Sequence, residues 1–194
     1  MTPAPLPVEL AGLAQRLVEL EDRLERFEDA AAIRACVHRY MALCDRLDAS
    51  TPMDALRDCF TEDAIWAGKG ARYGQSFGGH RGRAAIGAML GAYRGTLPGE
   101  EGPQRPPHFA FNAHFLCSEL ITPTGPDTAR AEWTMLQTST FASGASHLNA
   151  AQLTLQMRRD TDGQWRIAHF ETENLLSRPV THWRSDAPLP VPAR

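Results

Sequence analysis

The chain has 194 residues, 43% hydrophobic and 22% charged, which suits one globular domain with extra segments. Twenty basic residues against 23 acidic ones leave a formal charge of −3, so the basic excess of a nucleic-acid binder is missing. No apolar run reaches the roughly 18 residues of a membrane span, and four cysteines without a CxxC spacing exclude a disulfide miniprotein and give no zinc or thioredoxin-type pattern.

Met1 to Glu9 holds three prolines, reads as irregular, and lacks the basic-then-apolar layout of a signal peptide. A cytoplasmic protein with reduced thiols is expected, with Cys36, Cys44 and Cys59 acting as small hydrophobes in helical patterns. Next come Leu10, Leu13, Leu17, Leu20, Leu24 and Phe27, spaced 3, 4, 3, 4, 3 like the a and d positions of a heptad. Such a seam needs a partner surface, either the chain's own domain or another subunit.

A second helix is predicted from about Asp29 to Asp48, with Ile33, Cys36, Val37, Tyr40, Met41 and Cys44 as its apolar stripe. Thr51 is placed as a helix cap and Pro52 in the first turn of a short helix carrying Leu56 and Phe60. Residues 61–63 read as a turn, extended chain starts at Ala64, and 69–79, with four glycines, reads as a hairpin or loop. The Gly-Gly-His-Arg-Gly-Arg run at 78–83 lacks the ending of a phosphate loop. A third helix is predicted over about 82–94, followed by a long loop at 95–107 with four prolines and three glycines, either a lid or a mobile segment.

The period then changes to two. His108 to Ile121 alternates, with Phe109, Phe111, Ala113 and Phe115 on one face and His108, Ala110, Asn112, His114 and Leu116 on the other. Residues 128–141, 147–158 and 164–175 read as further strands, with Asp162-Gly163 as a tight turn. From Arg178 the chain is Pro-rich and reads as an irregular tail. Helices first and a meander of strands after them predict an α+β fold with helices on one face of a curved sheet.

Two positions stand out chemically. Asp45 continues the apolar row of Val37 and Met41, with Tyr40 five residues before it. A carboxylate there reaches solvent, forms a structural salt bridge, or faces a cavity, since burial without a partner is costly. His108 opens the first long strand and shares its predicted face with Asn112 and His114, where polar groups under helices would line a pocket. Surface exposure and a structural hydrogen bond are the alternatives for each histidine. The seven histidines form no helical HxxxH pair, so no metal is expected.

AAIRACVHRYMALCDRLDAS, LRDCFTEDAIW and HRGRAAIGAML resemble the opening of the SnoaL-like branch of the nuclear-transport-factor-2-like superfamily. HFAFNAHF and DGQWRIAHFE resemble that family's central and last strands, so the likeness covers about residues 28–175. It implies a cone-shaped α+β barrel in which a strongly curved, mostly antiparallel sheet packs against three helices and encloses an apolar cavity. Here the barrel would occupy residues 28–177, after an N-terminal extension with an extra helix (1–27) and before a C-terminal tail (178–194). Within the superfamily the chain is most similar to the scytalone dehydratase, bile-acid 7-alpha-dehydratase and hexachlorocyclohexane dehydrochlorinase group. Asp45 and His108 match the Asp and His those enzymes use, and Tyr40 resembles a pocket tyrosine of the bile-acid enzyme. Scytalone dehydratase has a second pocket histidine where this sequence reads Gln137-Thr138-Ser139, with His147 or His169 as possible substitutes.

The resemblance implies a cofactor-independent lyase of dehydratase type acting on a small hydrophobic cyclic substrate. His108 is the expected base, Asp45 its orienting carboxylate, and Tyr40 a hydrogen-bond donor to developing charge. Asn112, Trp66, Tyr73, Phe77, Trp133, Met135, Gln137 and His169 are the expected substrate contacts, with plain core packing as the alternative for Trp66, Tyr73, Phe77, Trp133 and Met135. An isomerase, a polyketide-cyclase-type enzyme, or a non-catalytic ligand-binding or assembly protein are the alternatives, because fold alone does not fix function. The seam and the Phe-rich strand face predict a homo-oligomer, dimer or trimer as in relatives, and the tail is a candidate lid over the pocket.

Overall fold

The computed structural model describes residues 8–97 and 99–181. The seam and the first stripe, expected on two helices, lie on one uninterrupted helix, α1 (Val8–Asp45). Nothing between Phe27 and Ile33 breaks a helix, and Ala30, Ala31 and Ala32 favour one. The helix ends at Asp45 rather than Asp48. The Thr51 hydroxyl closes the following turn by accepting from the Asp48 N–H (3.0 Å) and donating to the Arg46 carbonyl. Pro52, not Thr51, is the N-cap of α2 (Met53–Arg57), and no side chain caps that helix.

Strand β1 (Phe60–Lys69) starts earlier than expected and takes in the predicted turn at 61–63. The segment expected as a hairpin or loop forms α3 (Gly70–Phe77) and the short β2 (Gly79–Arg81). Gly68 permits this, because a Cβ there would run into the Tyr73 carbonyl. Helix α4 (Arg83–Gly91) follows. The loop after it is folded on itself. Arg94 pairs with Glu100 (2.6 Å), and Thr96 exchanges hydrogen bonds with Arg105 (3.0 and 2.6 Å).

Strands β3 (Phe109–Gly125), β4 (Thr128–Phe141), β5 (Ser146–Arg159) and β6 (Trp165–Val180) form the expected meander. The predicted turn closes β5 on β6 through Gly163, whose N–H donates to the Asp160 carbonyl (2.8 Å). The tail predicted from Arg178 is still strand through Val180, and its remainder, 182–194, lies outside the described residues. One six-stranded sheet results, in the order β2-β1-β6-β5-β4-β3, antiparallel except for β1 against β6. Helix α1 packs on β3 and β6, and α3 and α4 on β1, so the helices cover one sheet face. Between the layers sits a core that includes Ile33, Val37, Leu56, Ile86, Trp133, Leu153 and Ile167, each no more than 1% exposed. No helix among the described residues is long and apolar enough to cross a membrane.

Two bulges decide which side chains face that core. Between Phe109 and Phe111, β3 carries one residue more than β4, and between Ile167 and His169, β6 carries one more than β5. A one-residue insertion reverses the in/out alternation beyond it.

Candidate active site

The last turn of α1 ends in Asp45, a carboxylate at the negative end of a long helix dipole, where it is destabilised unless a donor faces it. His114 on β3 supplies two. Asp45 Oδ1 accepts the His114 backbone N–H (2.9 Å) and lies 2.6 Å from His114 Nδ1. With the carboxylate on Nδ1, that nitrogen carries the proton and Nε2 is left as the basic one. Nε2 has no hydrogen-bond partner among the described residues, and His114 lines a cavity of about 130 Å³.

The polar end of this cavity is built from cross-strand pairs. His114 sits opposite Gln137, and Asn112 opposite Ser139. Asn112 donates to the Cys44 carbonyl (3.3 Å) and accepts from Gln137 Nε2 (2.9 Å) and Ser139 Oγ (2.8 Å). Asn112 therefore clamps the end of α1 to two strands, which fixes the distance between Asp45 and His114. Buried amides satisfied in this way hold one geometry.

The opposite wall is aromatic. Tyr40 stands edge-on to Phe60 and Phe170 (5.1 and 5.4 Å between centroids), while Trp66 stacks on Phe170 (5.5 Å) and meets Phe77 edge-on. The Tyr40 hydroxyl accepts from Trp66 Nε1 (3.0 Å). Burial lifts the Tyr40 phenol well above its ordinary range, so it stays protonated and able to donate. Burial likewise pushes the Cys44 thiol up to about 12, which keeps it neutral beside the phenol. Cys36, Cys44 and Cys59 are buried and Cys117 exposed, all as free thiols.

Residues 25–171 match the family model of the SnoaL-like domain. The chain belongs to the SnoaL-like family. No curated protein matches it. Among solved structures, a hexachlorocyclohexane dehydrochlorinase from Novosphingobium barchaimii is similar over 86% of this chain and 99% of its own, at 16% identity and a TM-score of 0.65. A scytalone dehydratase-like protein from Novosphingobium aromaticivorans is similar over 87% and 98%, at 16% identity and 0.62. A nuclear-transport-factor-2-like protein of cystatin-like fold from the same species reaches 28% identity over 82% and 90%, at 0.56. These likenesses show a shared SnoaL-like fold.

Within this SnoaL-like cone, the cavity gathers Tyr40, Trp66, Tyr73, Phe77, Asn112, Met135 and Gln137 among the residues expected to meet substrate. His108 is not among them. It is exposed and packs against Tyr93, Phe109 and Phe141 (5.1, 4.7 and 5.2 Å). The bulge after Phe109 puts His108 and His114 on opposite faces, and for the same reason Phe109, expected outside, lines the cavity. His169 is displaced by the second bulge. Phe170 and Thr172 line the cavity instead, and His169 lies near Glu171 (3.9 Å). His147 lies against Phe141 and 3.5 Å from the Ser177 hydroxyl, away from the cavity. Trp133 shares the inner face with Met135 but lies one pleat further along β4, closed into the core.

The sequence reading missed His114 as the partner of Asp45, and missed Tyr93, Met89 and Leu90 as cavity wall. For His114 a signal existed, because it stands on the same predicted face as Asn112, two residues on. For the others none did, since a helical aliphatic stripe reads alike over a core and over a cavity.

Proposed function

We propose that this protein is a lyase of dehydratase type, acting on a small hydrophobic cyclic molecule by proton abstraction at His114. The observation that carries the reading is the His114–Asp45 contact at the polar end of a cavity whose other walls are aromatic and aliphatic. The dehydrochlorinase and dehydratase-like proteins of the same fold support an elimination.

The chemistry uses side chains alone. His114 Nε2 takes a proton from the carbon next to a carbonyl or activated ring. The C–H electron pair becomes the new C=C bond, and the hydroxyl on the adjacent carbon leaves with its bonding pair. The imidazolium returns the proton to that hydroxyl, which departs as water. Asp45 holds the tautomer and stabilises the imidazolium while it exists. Tyr40 donates a hydrogen bond to the oxygen that gains charge. Trp66, Phe77 and Phe170 make that wall of the cavity apolar, which strengthens each of these interactions. Isomerisation and ring closure begin with the same proton transfer and differ only in the fate of the electron pair it releases.

The test addresses that shared step. A panel of cyclic β-hydroxy ketones and fused-ring phenolic alcohols is incubated with the protein in D2O, and mass spectrometry reads deuterium uptake and loss of water. Turnover that disappears in His114→Ala and persists in His108→Ala is expected. Turnover undiminished in His114→Ala would place the base elsewhere.

A further inference from the structure

The N-terminal half of α1 is almost unsupported by the rest of the chain: among the described residues its one ion pair to another element is Glu25 with Arg159 (3.6 Å). Residues 10–28 are all exposed, a free length of about 28 Å at 1.5 Å per residue. Its seam residues Leu10, Leu13, Leu17, Leu20, Leu24 and Phe27 are each at least half exposed. A lone helix of this length is marginal in water, and a continuous apolar stripe of this kind marks an interface.

The charges beside the stripe say what covers it. With Leu10, Leu17 and Leu24 at heptad position a and Leu13, Leu20 and Phe27 at d, Arg16 and Arg23 occupy g, and Glu21 and Glu28 occupy e. When two such helices lie parallel, each g residue faces the e residue of the next heptad across the seam. Arg16 then meets Glu21 of the second copy, and Arg23 meets Glu28. Antiparallel, g faces g and e faces e, so arginine would meet arginine and glutamate would meet glutamate. The same stripe thus accepts a second copy in one direction and opposes it in the other.

We infer that the seam of α1 binds the same helix of a second copy of this chain, in parallel, as a short coiled coil held by Arg16–Glu21 and Arg23–Glu28 pairs. The assembly runs through the helix that also carries Tyr40 and Asp45, so two cavities are yoked by one rigid element. The inference is independent of the proposed reaction.

The full-length chain is tested by sedimentation and light scattering at micromolar concentration. Leu17→Glu/Leu20→Glu is expected to lower the measured mass to about half or less. Arg16→Glu/Arg23→Glu, which leaves the stripe intact, is expected to weaken association by about tenfold or more, and less at high salt. Adding Glu21→Arg/Glu28→Arg to that variant restores the pairing with the charges exchanged, and with it the wild-type mass, which separates loss of pairing from loss of folding. Direction is read in a Cys117→Ser background, which removes the exposed native thiol. Leu13→Cys there should form a disulfide-linked pair on mild oxidation, because an antiparallel seam sets Leu13 against Leu24. A wild-type monomer, or a mass unchanged by Leu17→Glu/Leu20→Glu, overturns the inference and leaves the seam to a different protein or the assembly to the sheet's outer face. A mass unchanged by the charge variants, or no cross-link from Leu13→Cys, overturns the parallel arrangement.

Discussion

The residue just before β3 and one near its middle carry the same chemical group to opposite faces. His108 and His114 lie six residues apart on one stretch of chain, and strict alternation would put both rings on one face. His108 is exposed in an aromatic cluster, with its backbone N–H given to the Tyr93 carbonyl (2.8 Å). His114 has its side chain 10% exposed and one ring nitrogen engaged by a carboxylate. A single extra residue between them makes the difference. An imidazole becomes a candidate base here through strand register and the nearby end of a helix, and not through its position at the start of a strand.

The sharpest way to break this comparison is to remove each ring in turn. His114→Ala is expected to lower kcat/KM, on a substrate found with the D2O panel, by about 10³- to 10⁴-fold, while His108→Ala changes it by no more than about threefold. The reverse ranking would mean that the working conformation lacks the bulge. Asp45→Asn comes next, with a loss of about 10³-fold, because an amide can hold the other tautomer and cannot stabilise the imidazolium. The purified variant should keep its near-ultraviolet circular dichroism, since Asn112 still clamps the end of α1. Tyr40→Phe is expected to cost about 10²-fold in kcat. It leaves the buried Trp66 N–H without its acceptor, so a stability loss of about 1–2 kcal/mol accompanies it. Burial raises the Tyr40 phenol, so its neutral form extends to higher pH. The rate profiles of wild type and Tyr40→Phe should therefore run parallel up to about pH 10. A wild-type profile that bends down alone below that value would show the phenol ionising.

Most of the fold could be read from the order of periods, with helices first and long strands after. The lengths of β4 and β5 and the turn at Gly163 followed from turn residues and alternation. The resemblance implied the cone and a pocket place for Tyr40, which lines the cavity, while Asp45 stood out already by its place in the apolar row of α1. What escaped was register. A bulge adds one residue without a compositional mark, so Phe109 and Phe111 look equivalent in sequence while one lines the cavity and the other is 44% exposed. Both misplaced histidines, 108 and 169, sit beside such an insertion. The break expected between Phe27 and Asp29 fails for a different reason. The stripe changes there from a heptad seam to a core-facing one, and in sequence a change of partner looks the same as a change of element.

The smallest expected effect sets the pH window in which the two histidines can be compared at all. Asp63 accepts from Arg158 (2.5 Å) and Thr61 (3.0 Å), and these bonds hold its carboxyl down at about 2. Its folded value lies below the unfolded one near 3.9, so the pair's contribution is complete above that value and is lost as pH falls toward 2. Asp162, held to about 2 by Arg166, acts in the same direction. The Asp63 side chain is 66% exposed, so solvent screens the pair and its worth is a few tenths of a kcal/mol. Asp63→Asn should lower the melting temperature slightly at pH 7, and the gap to wild type should shrink on acidification toward pH 2, as followed by calorimetry. A gap that widened there would mean the carboxyl is stabilised in its protonated form. The expected sign keeps this pair's contribution whole above about pH 4, and the two histidine variants are best compared there.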